Sequence, residues 1–184
     1  MRRTSLVQRL FSLALVIWAL DFLTKNYAVE NFTAAPKEVI GTFLQVTLFR
    51  NPGAAFSMAT GFTIIFTTIS IAVALFISRY AARITSPWWA YVAGLVLGGV
   101  FGNLSDRIFR APGFLYGHVI DWIQVPHWPI FNIADSAIFI AAGIAIVLTF
   151  KNIPPIDKSP DNSSDNSSGN SSGNSSGNKS GNNE

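Results

Sequence analysis

The chain has 184 residues, a length suited to one domain, with 49% apolar residues and only 12% charged, against the ~25% charged usual in globular proteins. Cys is absent and His occurs twice, which excludes a disulfide framework, a Cys-based zinc site and thiol chemistry, and argues against a histidine-rich metal centre. The net charge of +3 comes from basic residues scattered along the chain rather than gathered on a face, so no nucleic-acid partner is expected and the apolar content points to a membrane.

A spanning helix needs about 20 mostly apolar residues. Four stretches meet or approach that length: about Leu6–Leu23, about Phe62–Ser78, the interval from Pro87 to Asp106, and about Asp135–Phe150. Pro87 suits a first helical turn, where its missing N–H costs no hydrogen bond. The first stretch follows Arg2 and Arg3 as a secretory signal would, but no small-x-small cleavage site follows and Asp21 closes the run, so a retained span is expected. Arg2, Arg3, Arg9, Arg79, Arg83 and Lys151 all fall on one side of a four-span topology, which places both termini in the cytoplasm. Between spans one and two, Gly-Thr-Phe-Leu-Gln-Val-Thr-Leu-Phe (41–49) is rich in Thr, Val and Phe and reads as a strand at the membrane surface. Arg50-Asn51-Pro52-Gly53 ends it with turn residues. Gly94, Gly98 and Gly102, four apart on span three, read as a close helix-packing face. From Asp157 to Glu184, 21 of 28 residues are Ser, Asn or Gly, so a membrane domain over residues 1–156 and a disordered cytoplasmic tail over 157–184 are expected.

The acids in the membrane part are few enough to take singly. Asp21 lies at the end of span one, Asp106 at the end of span three, Asp121 in the loop that follows, and Asp135 at the start of span four. The topology brings all four to the non-cytoplasmic face, together with Lys25, Asn51, Asn103, Arg107 and Asn132. Each alone could mark the water boundary, and Asp135 could simply favour the positive end of its helix. As a group they are harder to dismiss. Asp121 sits between Ile120 and Trp122, and Asp135 follows Phe-Asn-Ile-Ala, so both start from apolar surroundings. Two carboxylates drawn together in such a place cannot both ionise, and the retained proton supplies an acid beside a base. That pair can hydrolyse a peptide without Ser, Cys or metal. The Gly-rich run at 94–102 lacks the context of a phosphate loop or dinucleotide fingerprint. Ser57, Ser105 and Ser136 have no His partner nearby in sequence, and His118 and His127 flanking Asp121 read as plain polar residues, so neither metal nor cofactor is expected.

Five motifs resemble those of lipoprotein signal peptidase (type II signal peptidase), a family of bacterial membrane aspartyl proteases. They are Asp21-Phe-Leu-Thr-Lys25, Asn51-Pro-Gly53-Ala-Ala-Phe-Ser57, Gly102-Asn103-Leu-Ser-Asp106-Arg107, Val119-Ile-Asp121-Trp122 and Phe131-Asn132-Ile-Ala-Asp135-Ser136. The resemblance runs from about Trp18 to Phe150. Trp122 stands where the family more often has Phe, and the Ser/Asn tail lies outside the pattern. The resemblance implies a four-helix membrane protease with a small β-sheet on the non-cytoplasmic side. It also implies that the Val39–Ser57 region and the loop containing Asn26–Glu38 form that sheet and a mobile flap above the site. Asp121 and Asp135 would be the catalytic pair, with Asn51, Asn103, Arg107 and Asn132 orienting substrate and pair, and Asp21, Lys25, Gly53 and Asp106 supporting. Asp21 and Lys25 would pair at one helical turn's spacing. The substrate would be a lipid-modified prolipoprotein, cut before the diacylglyceryl-cysteine of its lipobox, by a monomer among membrane lipids in the bacterial plasma membrane. The alternative reading of intramembrane acids is a small proton-coupled transporter.

Overall fold

The computed structural model describes residues 3–53 and 62–157. The tail beyond 157 and the Ala54–Ser57 part of the second motif lie outside the described residues. Four helices, α1 (Arg3–Asn31), α2 (Phe62–Tyr80), α3 (Pro87–Phe109) and α4 (Ile133–Phe150), are each long and apolar enough to cross a membrane. Three antiparallel strands form one sheet in the order β1 (Lys37–Ile40), β2 (Leu44–Asn51), β3 (Val119–Gln124).

The helices turn apolar side chains outward. Leu15, Leu75, Phe139 and Phe150 are all more than half exposed, which water would penalise and lipid tails would not. Without a hydrophobic gradient between lipid and protein, association depends on close backbone approach. The glycines of α3 provide it. A Cβ on Gly98 would stand 2.7 Å from both the Ala14 carbonyl oxygen and Ile17 Cβ on α1, and one on Gly99 would stand 2.6 Å from the Ala134 oxygen on α4. Gly94 meets the Leu10 carbonyl in the same way, so Gly94 and Gly98 form the packing face on α1 that their spacing predicts. Helix α3 is therefore the hub, touching α1, α2 and α4.

Polar residues reach further along the helices than the apolar runs suggest. At 1.5 Å per residue the 29 residues of α1 extend about 44 Å, well past a ~30 Å hydrocarbon layer. Asp21 and Lys25 thus lie within α1 rather than at its end, and Asp106 and Arg107 lie inside α3. The expected Asn26–Glu38 loop is corrected in part: Asn26–Asn31 is the last turn and a half of α1, whereas the strand Lys37–Ile40 belongs to the small sheet expected from these segments. The strand expected at 41–49 is shifted, since Gly41 turns the chain at φ +48° and pairing resumes at Leu44. Asp121 belongs to a strand, not a loop. Periodicity missed β3 because its six residues are buried at Val119, Ile120 and Asp121 alike and show no alternation.

Candidate active site

Three local structures deliver the polar residues to one place. Antiparallel pairing of β2 with β3 sets Asn51 opposite Val119 and Phe49 opposite Asp121, so the end of β2 lies beside the start of β3. Phe131 then bridges to Ile123, with Ile123 N donating to Phe131 O at 2.9 Å and Phe131 N to Ile123 O at 3.0 Å. This holds Asn132 against Asp121. Asn132 is also the N-cap of α4, its Oδ1 accepting from Asp135 N at 2.9 Å.

Asp121 and Asp135 are joined through side-chain amides. Asp121, 1% exposed, accepts from Asn132 Nδ2 on Oδ1 at 2.6 Å and from Asn51 Nδ2 on Oδ2 at 2.9 Å. Asp135 Oδ1 accepts from Asn103 Nδ2 at 2.8 Å. Asn132 Nδ2 also reaches Asn103 Oδ1 at 3.2 Å, which closes the chain from one carboxyl to the other.

Each amide is aimed by a group that can only donate. Gly53 N donates to Asn51 Oδ1 at 2.8 Å, Asp135 N to Asn132 Oδ1, and Lys25 Nζ to Asn103 Oδ1 at 2.9 Å. A backbone N–H or an ammonium cannot accept, so every amide must turn its oxygen to that partner and its NH2 to a carboxylate. Gly53 and Lys25, expected as supporting residues, are two of these donors. Gly53 has φ +100°, a conformation that a side chain would strain.

Burial pushes the Asp121 carboxyl up from its ordinary 3.8 to about 7; the Asn51 bond opposes this, the charge of nearby Asp135 adds to it, and the Asn132 bond and Lys25 oppose it. A buried acid that holds its proton near neutrality, beside a second carboxyl, has the properties needed for acid–base chemistry on one substrate atom.

Beneath the pair lies a buried ionic cluster. Lys25, fully buried, sits 2.6 Å from Asp21 Oδ2 and 2.9 Å from Asp106 Oδ2, so the i, i+4 pairing of Asp21 and Lys25 is present with a further acid added. Asp21 Oδ1 accepts from Ala134 N at 2.8 Å, and Asp106 Oδ2 from Ile120 N at 3.1 Å. These contacts tie α1 and α3 to the first turn of α4 and the start of β3, the two segments that carry Asp135 and Asp121. A Cβ on Gly102 would strike Asp21, so that glycine makes room for the cluster.

Arg107 differs from the others. Its guanidinium is buried among the acids, but Nε and Nη1 have no hydrogen-bond partner among the described residues, so the expected orienting bonds to the carboxyls are not made there. Arg110 and Asn26 were missed by sequence reasoning. Arg110 Nε pairs with Asp106 Oδ1, and its Nη2 donates to Asn26 Oδ1 at 2.9 Å. Arg110 follows Asp106 by four residues, the spacing at which Asp21 and Lys25 pair, and that spacing is the signal that could have found it.

The signal peptidase (SPase) II family model matches residues 13–151. The chain belongs to the signal peptidase II family. It is similar to the lipoprotein signal peptidase of Rhodococcus jostii (strain RHA1), with 48% identity over 147 residues, 79% of this chain and 74% of the relative. It is also similar to the lipoprotein signal peptidase of Mycobacterium avium (strain 104), with 47% identity over 141 residues, covering 76% and 78% of the two chains. Two solved structures share the fold; both are described as bacterial membrane enzymes obtained by the in meso method. One matches with a TM-score of 0.67 at 26% identity, over 82% of this chain and 92% of the other. The second matches with a TM-score of 0.68 at 27% identity, over 78% and 93%. Membership in this peptidase family agrees with the four-helix bundle and surface sheet, and makes the protein an aspartic protease rather than the transporter of the alternative reading.

Proposed function

We propose that the protein removes the signal peptide from lipid-modified prolipoproteins in a bacterial plasma membrane, with Asp121 and Asp135 as its catalytic pair. The observation that carries this reading is the Asn132 linkage. One amide donates to the Asp121 carboxylate and accepts from the Asp135 backbone N–H, coupling two acids from different elements.

In this mechanism the pair holds one proton between two carboxyls. The ionised member takes a proton from water as its oxygen attacks the scissile carbonyl carbon, and the protonated member gives its proton to the carbonyl oxygen. In the tetrahedral diol that results, the carboxyl that gained a proton passes it to the amide nitrogen. The C–N bond then breaks, a diol proton returns to the pair, and the free amine of the lipid-modified cysteine departs. Asn51, Asn103 and Asn132 keep the carboxyls in place, and the amide directions forced by Gly53, Asp135 N and Lys25 support that role. Arg107, buried with Nε and Nη1 unspent on the described residues, supports an orienting role through its positive charge beside Asp121 and Asp135.

The basic residues at one end of the bundle support an orientation with both termini cytoplasmic and the pair at the outer face, where a lipid-anchored peptide presents its cleavage site. The chain acts as a monomer in this reading, and residues 157–184 form a cytoplasmic tail outside the protease domain. The test is cleavage of a diacylglyceryl-modified prolipoprotein by purified protein in detergent. Asp121→Asn and Asp135→Asn should each abolish it while the helical content by circular dichroism stays unchanged. Cleavage retained by either variant removes that residue from the pair.

A further inference from the structure

The opposite end of the bundle carries a feature that catalysis does not use. After α4 the chain folds back across the connection between α2 and α3. Trp89 Nε1 donates to Ile153 O at 2.8 Å, Thr85 N to Pro155 O at 3.0 Å, and Asp157 N to Thr85 Oγ1 at 2.8 Å. The strap walls off a cavity of about 320 Å³ whose lining is almost wholly apolar and includes Phe76, Tyr80, Trp89, Val92, Pro155 and Ile156.

Two arginines flank Tyr80, one of the residues lining the cavity. Arg83 holds its guanidinium carbon 4.7 Å from the centre of the Tyr80 ring, which itself lines the cavity. Arg79 precedes Tyr80 in the last turn of α2. Both arginines are exposed, and neither forms an ion pair with a carboxylate among the described residues. The nearby acid, Asp157, is exposed and has its backbone, not its carboxylate, engaged with Thr85.

Apolar space between spanning helices, opening beneath unspent basic side chains at the membrane boundary, matches one membrane component. We propose that this groove binds an anionic phospholipid, with an acyl chain in the cavity and the phosphate on Arg79 and Arg83. The charge complementarity separates it from bulk lipid, since a zwitterionic headgroup would gain little from the two arginines. The site stands apart from the catalytic pair, so its failure would leave the peptidase reading untouched.

Trp89 reports on the cavity from within. The full-length protein is placed in phosphatidylcholine nanodiscs containing a rising fraction of phosphatidylglycerol with dibrominated chains, and Trp89 quenching is taken as the difference between wild type and Trp89→Phe. Each basic residue near an anionic surface favours binding about fivefold, so half-quenching is expected at a mole fraction at least about tenfold lower than with the same brominated chains on phosphatidylcholine. Arg79→Gln with Arg83→Gln, exposed changes that leave the helix contacts intact, should bring the two headgroups within about threefold of each other. Equal quenching by both headgroups in the wild type would mean bulk lipid only and would overturn the proposal. A headgroup preference that survives the double substitution would overturn it too.

Discussion

Replacing Lys25 with Met tests the ionic cluster beneath the pair. The ammonium is 2.6 Å from Asp21 and 2.9 Å from Asp106, all three side chains being at most 3% exposed. Removing one partner of a buried ion pair typically costs about 3–5 kcal/mol, because the remaining charge is stranded away from water. Lys25→Met strands two carboxylates, though Asp106 keeps Arg110 and the Ile120 N–H, and Asp21 keeps the Ala134 N–H. The loss should therefore fall near 3–5 kcal/mol, not twice that. Adding Asp21→Asn removes the stranded charge while preserving an oxygen for Ala134 N. What remains is chiefly an unpaired amide, about 1–3 kcal/mol. The double variant should thus be more stable than Lys25→Met alone. Unfolding of both variants in one detergent, followed by thermal denaturation with a thiol-independent probe, measures the difference. If Lys25→Met unfolds with the wild type, or if the double variant is no better than the single one, the cluster is not the electrostatic lock described. Cleavage adds a second readout: even the stable double variant lacks the donor that aims Asn103 at Asp135, so its turnover should fall.

Asn132→Ser keeps an N-cap for α4 but loses the bond to Asp121, whereas Asn132→Ala loses both. The alanine variant should be about 1 kcal/mol less stable in the same unfolding assay while both lose activity. Gly98→Ala should cost about 1–3 kcal/mol by driving a methyl into α1, while Gly143→Ala on α4, with nothing within 4 Å of its added carbon, should be neutral or slightly stabilising. Because the folded Asp121 carboxyl is raised from 3.8 to about 7, its neutral form is favoured on folding. Its contribution to stability is full below about pH 4 and is lost as pH rises through about 7. Melting temperatures at pH 5 and pH 8 should fall more in the wild type than in Asp121→Asn, and parallel changes in the two proteins would refute the shift.

The spans were legible because hydrocarbon imposes a length and a composition that few soluble helices share. Gly94, Gly98 and Gly102 were legible as a packing face because their fourfold spacing has a steric meaning, and the Cβ positions at α1 bear it out. The helix ends were not legible. Asp21 and Asp106 look like span boundaries, but the ions they pair with let α1 and α3 continue beyond them. Pairing across the sheet was hidden for a different reason. Val119, Ile120, Trp122 and Ile123 favour a strand, but the segment shows no alternation, and its pairing is set by β2, some seventy residues earlier, and by the bridge to Phe131. The residues of the candidate site were named from motif and depth. Their hydrogen-bond directions, and the part played by Arg110 and Asn26, depend on contacts between distant segments.

The central claim is that Asp121 and Asp135 act as one unit, and a double-mutant cycle on cleavage measures this most directly. Single-turnover rates on a diacylglyceryl-modified prolipoprotein are compared for wild type, Asp121→Asn, Asp135→Asn and the double variant, all in one detergent at one pH. For groups that work together, each single substitution should cost as much as both. Losses that multiply in the double variant, or a single variant cleaving at the wild-type rate, would show two acids that are neighbours without being partners.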